Sequence, residues 1–401
     1  MTRSSDAHAG AQQDAHTILY FGNDWFAENR TSSHHIARWL AERYRVYYLE
    51  CPGLRAPKGE GRDLRKVGSK LLRFLEGPTA VPEGLKVRTL LQIPLHRYAT
   101  VRWANRVLIT LTLEWLMWRE RIERPIAWFL VPHLAPILGR LGEKLSVYYC
   151  IDDYASLPDV DASAVRALDE DLTRRADLVF VASETLLEAK RRLNPETHVS
   201  PHGVDLEHFG RALDTSLPVP EDMRGMPRPI VGFFGLIERW IDLDLVGYLA
   251  TQRPAWSFVM VGRVAVPAGE LPRLANLHFL GRRAYGSLPA YGHLFDAAII
   301  PYRLTQQVLH ANPIKLREYL AMGRPVVSVS TPEIDKYVDV VEIARSPEEF
   351  LAKLDALLAR GDSFGDIDRR MNRVSGESWN TCLEKVMAVV ARRLDRLDAC
   401  L

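Results

Sequence analysis

The chain has 401 residues, 25% of them charged and 47% hydrophobic, with a net charge of +2. That balance excludes a wholly disordered or collagen-like chain and carries no overall nucleic-acid signature, while the length suits two domains with a core each. Four scattered cysteines without metal spacing (Cys51, Cys150, Cys382, Cys400) suit reduced thiols in a cytosolic protein.

Residues 1–16 are polar, lack the apolar run of a signal peptide and read as a disordered leader. No uninterrupted apolar run approaches the ~20 residues of a membrane-spanning helix. Short apolar runs at 18–21, 46–49, 128–131, 147–150, 178–181 and 198–200 read as strands, with helical spacing at 33–43 and 164–175 between them. That alternation predicts an α/β class, with a parallel sheet covered by helices on both faces. Residues 217–229 are proline-rich (Pro218, Pro220, Pro227, Pro229) and suit a domain boundary. The pattern then restarts with strands predicted at 230–234, 257–261, 277–280, 297–301 and 326–329. Two doubly wound domains would face a cleft, and ligands in such sheets sit beyond the carboxyl ends of the strands.

Two stretches break the rhythm. Residues 55–73 carry seven basic side chains (Arg55, Lys58, Arg62, Arg65, Lys66, Lys70, Arg73) against Glu60 and Asp63. Further on, Arg97, Arg102 and Arg106 precede VLITLTLEWLMW (107–118), and Arg119, Arg121 and Arg124 follow it. Basic residues beside an aromatic-rich apolar segment suit a surface lying on anionic lipid. A buried helix with solvated ends is the other reading of 107–118.

The chemistry concentrates in a few places. In NPIKLREYLAMGRPVVSV (312–329), Asn312 suits an N-cap and Pro313 the first helical position. Lys315 falls in the first turn, where free N–H groups and the helix dipole favour an anion, and Glu318 lies one turn deeper on the same face. Gly323 suits the C-terminal cap. A nucleotide diphosphate fits this pattern, its phosphates meeting Lys315 and its ribose Glu318; an ordinary capped helix with solvated charges fits it too. In VGFFGLIERWIDLDL (231–245) a strand runs into Gly235, where backbone amides can approach a ligand. Arg239 and Arg263 are candidate phosphate contacts. Asp242 and Asp244 read as a helix start rather than a metal site, and no metal is expected. In the first half, His133 and Asp153 follow strands and could take a proton from an acceptor hydroxyl. Asn23, Asp24, Arg30 and His34 beyond the first strand could line the acceptor side.

With HGVDLEHF (202–209), VGFFG (231–235) and PYRLTQQVLHANPIKLREYLAMGRPVVS (301–328), the chain resembles glycosyltransferases of the GT-B fold, in particular the family 4-like bacterial enzymes that build surface polysaccharides. The resemblance covers nearly the whole chain. It implies an acceptor-binding Rossmann-like domain at 17–213, a linker at 214–229, and a nucleotide-sugar-binding Rossmann-like domain at 230–375. A C-terminal helix (376–401) is implied to cross back to the first domain. It also implies that Glu318 binds the donor ribose and that the turn from Asn312 to Lys315 meets the diphosphate. No cofactor is implied, the nucleotide diphosphate-sugar being a co-substrate. Two departures stand out. His310 replaces a Glu that usually contacts the transferred sugar, leaving donor sugar and stereochemistry open, and His202 replaces an Asn before Gly-Val-Asp.

The reading is a metal-independent hexosyltransferase in bacterial polysaccharide biosynthesis, retaining rather than inverting. It would move a sugar from a UDP- or GDP-linked donor to a lipid-linked or saccharide acceptor. The place is the cytoplasm, with peripheral contact to the inner face of an anionic membrane and no nucleic-acid partner. If the reaction inverts, Asp153 is the first choice of base and His133 the second. A nucleotide-sugar 2-epimerase or a non-catalytic nucleotide-binding partner of another transferase are the alternatives.

Overall fold

A computed structural model describes residues 16–26, 31–51, 79–81, 84–93 and 98–399. The basic stretch 55–73, Arg30 and Arg97 lie outside the described residues. The chain divides into two units, Met1–Ser200 with Leu383–Leu401, and Pro201–Cys382.

The first unit holds β1 (Thr17–Gly22), β2 (Arg45–Glu50), β3 (Thr79–Ala80), β4 (Lys86–Thr89), β5 (Ile126–Phe129), β6 (Leu145–Cys150), β7 (Leu178–Val181) and β8 (Thr197–Val199). They form one sheet in the order β3-β4-β2-β1-β5-β6-β7-β8, parallel except for the β3–β4 pair. The inner strands are mostly apolar because both faces are covered, as a parallel sheet requires. On one face Trp128, Tyr149, Phe180 and His198 form an aromatic row, with centroids 6.1 Å apart for Trp128–Tyr149 and 5.8 Å for both Tyr149–Phe180 and Phe180–His198. The opposite face carries Leu19, Phe21, Phe129, Tyr148 and Val181, packed against Ile109, Leu113 and Leu116 of the helix Ala99–Glu120.

That helix ends in a charge cluster. Glu120 accepts from Lys86 Nζ at 2.6 Å, the Tyr47 hydroxyl at 2.5 Å and Arg45 at 3.2 Å. The Lys86 and Tyr47 bonds hold its carboxyl down at about 2. A carboxyl whose folded value lies below the unfolded value of about 4.3 adds stability above that pH and loses it as pH falls through the folded value. Denaturation midpoints should therefore drop from about pH 4.5 to pH 2 more steeply in the wild type than in Glu120→Gln. Equal slopes would remove Glu120 from the acid response.

The second unit holds β9 (Ile230–Phe234), β10 (Ser257–Val261), β11 (Leu277–Gly281), β12 (Ala297–Ile300), β13 (Val326–Val329) and β14 (Glu342–Ala344). They are all parallel, in the order β11-β10-β9-β12-β13-β14. Alternate residues feed separate cores on the two faces: Ile230, Phe234, Val259 and Ile300 on one, Val231, Phe233, Phe258 and Ile299 on the other. The strand order reverses between β9 and β12, and a crevice at the carboxyl ends of such a pair is where ligands of open α/β sheets sit.

The division between units falls at Ser200/Pro201, ahead of the proline-rich stretch, and again at Cys382/Leu383, inside the helix Trp379–Asp398. The cause is packing: Phe209, Ala212 and Met223 are buried in the second unit's core, with Phe209 stacked on Phe234 at 6.0 Å. Residues 201–229 are thus committed to the second sheet rather than to the first or to a free linker.

Candidate functional site

The helix Ile314–Ala321 starts beside the β9/β12 switch point. Pro313, not Asn312, occupies the N-cap position, and no side chain caps the first turn. Asn312 is buried, its Oδ1 accepting from Arg317 Nη1 at 2.8 Å and from the His202 N–H at 3.4 Å. Its Nδ2 donates to Glu333 at 2.7 Å. Two interior charges claim this amide, and leaving either short of a partner would cost more than leaving solvent-accessible amides uncapped. The amides of the first turn are therefore left without a side-chain cap. At the other end the N–H groups of Gly323 and Arg324 return to the carbonyls of Leu320 and Tyr319, both at 2.9 Å, and close the helix.

Lys315 Nζ lies 2.7 Å from Glu318 Oε2 and 4.9 Å from the Phe234 ring centroid. The lysine is partly open and the glutamate nearly closed, with side-chain exposures of 24% and 8%. Burial, and next Glu318's charge, push the Tyr302 hydroxyl up. Tyr319, pushed up chiefly by burial, takes the Phe234 N–H on its hydroxyl at 2.9 Å, which fixes the end of β9 over this helix. The arrangement is a cation and a deeper carboxylate on one helical face, walled by aromatic rings.

The β9 and β10 ends close around each other. Gly235 and Gly262 have φ of +155° and +151°, and a Cβ on Gly262 would fall 1.7 Å from the Gly235 carbonyl oxygen. Only glycine permits that approach. The next residues bridge as Ile237↔Val264, so Arg239 and Arg263 emerge from neighbouring loops. Both are exposed, and neither guanidinium has an ion pair among the described residues. Arg303, by contrast, pairs with Asp244 at 3.2 Å and Asp242 at 3.7 Å, and Asp242 caps the helix Leu243–Gln252. His310 ends the short helix Gln306–His310, half-buried, its Nε2 3.2 Å from the Gln306 amide.

In the first unit, β1 leads into the Asn23–Asp24 turn. The Asn23 carbonyl accepts from the Tyr48 hydroxyl at 2.8 Å, and Asp24 accepts the Phe26 N–H at 3.1 Å. His34 does not present its ring as an acceptor contact. It is buried, its Nδ1 3.1 Å from the Thr31 N–H and its Nε2 3.1 Å from the Trp25 carbonyl. The Thr31 amide can only donate, so Nε2 carries the proton and donates to Trp25. With both nitrogens engaged, His34 straps the loop to its helix. His133 lies in the 3-10 turn Pro132–Ile137 after β5, half-buried. Asp153 follows the neighbouring strand β6, its carboxylate accepting the Ser156 hydroxyl at 2.5 Å.

Two charged residues escaped the sequence reading. Glu50 ends β2 fully buried, opposite Gly22 in register, and accepts the Thr89 hydroxyl at 2.8 Å. A carboxylate closing an apolar strand was its only signal. Arg317 is buried on the helix Ile314–Ala321, its Nε 2.7 Å from Glu377, sixty residues on in the chain. His202 is buried too; burial, and next Arg317, push its imidazole down to about 3, so it stays neutral. Among the described residues no three His, Cys, Asp or Glu side chains gather as a metal site.

Residues 228–360 match the family model described as glycosyl transferases group 1. A Bacillus subtilis (strain 168) protein provisionally named as a teichuronic acid biosynthesis glycosyltransferase, TuaH, is 26% identical over 383 residues, covering 89% of this chain and 92% of that one. Sucrose-phosphate synthase from Thermosynechococcus elongatus has a similar structure, with a TM-score of 0.67 at 12% identity over 95% of this chain and 99% of that one. Anabaena HepE in complex with UDP and glucose gives a TM-score of 0.62 at 14% identity, over 93% and 99% of the two chains. The fold is GT-B, and the chain is a glycosyltransferase.

Proposed function

We propose that the protein moves a hexosyl group from a UDP- or GDP-linked sugar to a lipid-linked or saccharide acceptor in bacterial polysaccharide biosynthesis. The Lys315–Glu318 pair at the switch point of the second sheet carries this reading. Lys315, the uncapped first turn and one of Arg239 or Arg263 stabilise charge developing on the departing diphosphate. Glu318 accepts from the ribose hydroxyls, the Gly235 turn lets the donor approach the backbone, and His310 faces the transferred sugar. Asn312 acts by holding Arg317 rather than by touching the donor.

The bond from the anomeric carbon to the diphosphate oxygen breaks, with its electrons leaving on the phosphate. The acceptor oxygen bonds that carbon and its proton passes to the departing phosphate. Configuration is then retained and no metal takes part. Were the reaction inverting, Asp153 or else His133 would take the proton instead. Asn23 and Asp24 remain the acceptor-side candidates. The test is incubation with UDP- and GDP-sugars, with and without membrane lipid extract; transfer with neither donor, or none beyond donor hydrolysis, would end this reading.

Contact with an anionic leaflet belongs to the proposal. The helix Ala99–Glu120 buries Ile109, Leu113 and Leu116 inward and leaves Leu108, Leu111, Trp115 and Trp118 outward on a common face, Trp118 78% and Leu111 59% exposed. The exposed Arg119 stands 5.1 Å from the Trp115 ring centroid and gives that face a basic edge, while the buried Arg88 lies 5.2 Å from the same ring. No helix among the described residues is long and apolar enough to cross a membrane, so this one would lie in the interface. Trp118→Ser with Leu111→Ser should weaken sedimentation with anionic vesicles by about tenfold or more. Unchanged sedimentation, or equal binding to zwitterionic vesicles, counts against it.

A further inference from the structure

One charged side chain of the helix Ile314–Ala321 turns into the protein and pairs with a carboxylate outside the helix. Arg317 lies between Lys315 and Glu318 in sequence but turns inward, buried with its Nε 2.7 Å from Glu377 Oε2 and its Nη1 2.8 Å from Asn312 Oδ1. Glu377 is claimed from three sides: the Tyr337 hydroxyl donates to its Oε2 at 2.6 Å, and Arg373 Nη1 approaches its Oε1 at 3.3 Å. Its own backbone carbonyl accepts the Val204 N–H at 2.9 Å, within the bridge that pairs Val204 with Ser378. Asn312 closes the loop by accepting the His202 N–H at 3.4 Å. Beside this bridge a Cβ on Gly203 would fall 2.5 Å from the Trp379 Cα, so the two segments have no slack between them.

These segments are special in the chain. Residues 202–204 follow the passage from the first unit to the second at Ser200/Pro201, and 377–379 precede the return at Cys382/Leu383. A planar guanidinium that binds two acceptors at once transmits displacement as a rigid fork, which an ammonium cannot do. A shift of the helix Ile314–Ala321 on engaging a nucleotide therefore moves Arg317 against Asn312 and Glu377 together. Both are bonded to the first crossing, Asn312 through the His202 N–H and Glu377 through the Val204 N–H, and Glu377 is itself part of the second.

We infer that Arg317 and Glu377 are positioning residues that couple occupancy of the donor helix to both chain crossings between the units. The inference rests on the donor-site reading above. It places Arg317 in no contact with substrate.

Amide hydrogen exchange with UDP and with GDP as probes tests it. In the wild type, one of the two nucleotides should slow exchange at 314–321 and also at 202–204 and 377–379, by about tenfold. In Glu377→Gln the protection at 314–321 should persist while that at the crossings falls to a third or less. Tyr337→Phe, which removes one hydroxyl from Glu377, should give the same pattern at smaller amplitude and serves if Glu377→Gln does not fold. A donor helix that is protected while the crossings are not, in the wild type, overturns the coupling. So does full protection of the crossings in the variants, since a scaffolding role would cost stability without severing the response. A helix that neither nucleotide protects defeats the donor-site reading itself, and the coupling with it.

Discussion

Lys315→Ala should lower kcat for sugar transfer by about 10²–10³, the usual loss when one preorganised stabiliser of a developing anion is removed. Glu318→Ala should act differently, raising the donor KM by about 10- to 100-fold, since charge-assisted bonds to ribose hydroxyls exist in both ground and transition states. The split follows from position. In the proposed function Lys315 sits in the helix mouth, where negative charge would grow on the leaving phosphate, and Glu318 sits a turn deeper, where nothing would change charge. The pair is mutually bonded at 2.7 Å, so neither deletion is clean. Lys315→Ala strands a carboxylate whose side chain is only 8% exposed, and some loss of melting temperature should accompany it. Glu318→Gln keeps the shape and removes the charge, and it should reproduce the KM effect without the packing defect. Wild-type transfer by both alanine variants would refute the donor-site assignment.

Gly262→Ala should destabilise the second unit by about 3 kcal/mol or more, among the larger effects open to a single methyl. The added Cβ would stand 1.7 Å from the Gly235 carbonyl oxygen, at a φ of +151° that alanine rarely adopts. A flexible side chain could swing aside, but the obstacle is backbone, fixed by the Gly235 N–H to Val261 bond at 2.8 Å. Relief would have to come from moving the Gly235 turn, so nucleotide binding should weaken along with stability. Gly269→Ala is the control, since a Cβ there meets nothing within 4 Å. Denaturant midpoints of the two variants, compared with wild type, decide it: similar midpoints would mean that the Gly235 turn accommodates the methyl at no cost.

Much of this was legible along the chain. The strands at Leu178–Val181, Ile230–Phe234, Ser257–Val261 and Val326–Val329 fall where apolar β-branched and aromatic runs predict them. Runs buried on both faces need little context to be recognised. The short strands Thr79–Ala80, Lys86–Thr89 and Glu342–Ala344 were not legible, because two to four residues such as KVRT carry no period of their own. A neighbouring strand's hydrogen bonds make them strands. The helix 107–118 was ambiguous between a buried element and a lipid-facing one because it is apolar all round, and the sheet it packs on selects which side is covered.

The candidate site divides the same way. Chain-local chemistry determined the helix Ile314–Ala321, its Lys315–Glu318 spacing, its closure at Gly323 and the glycine turns after β9 and β10. Each of these depends on a residue's own backbone preference or on neighbours three or four positions away. Tertiary structure alone decided that Asn312 serves Arg317 and Glu333 instead of capping the helix, and that His34 straps a loop instead of facing an acceptor. It also decided that the chain divides at Ser200/Pro201 and not within the proline-rich stretch 217–229. In each case a buried polar group or aromatic ring needed a partner beyond the next helical turn in sequence, Glu333 for Asn312, Trp25 for His34 and Phe234 for Phe209. Satisfying that need outweighs the few tenths to one kcal/mol, roughly, that a local cap or turn preference supplies.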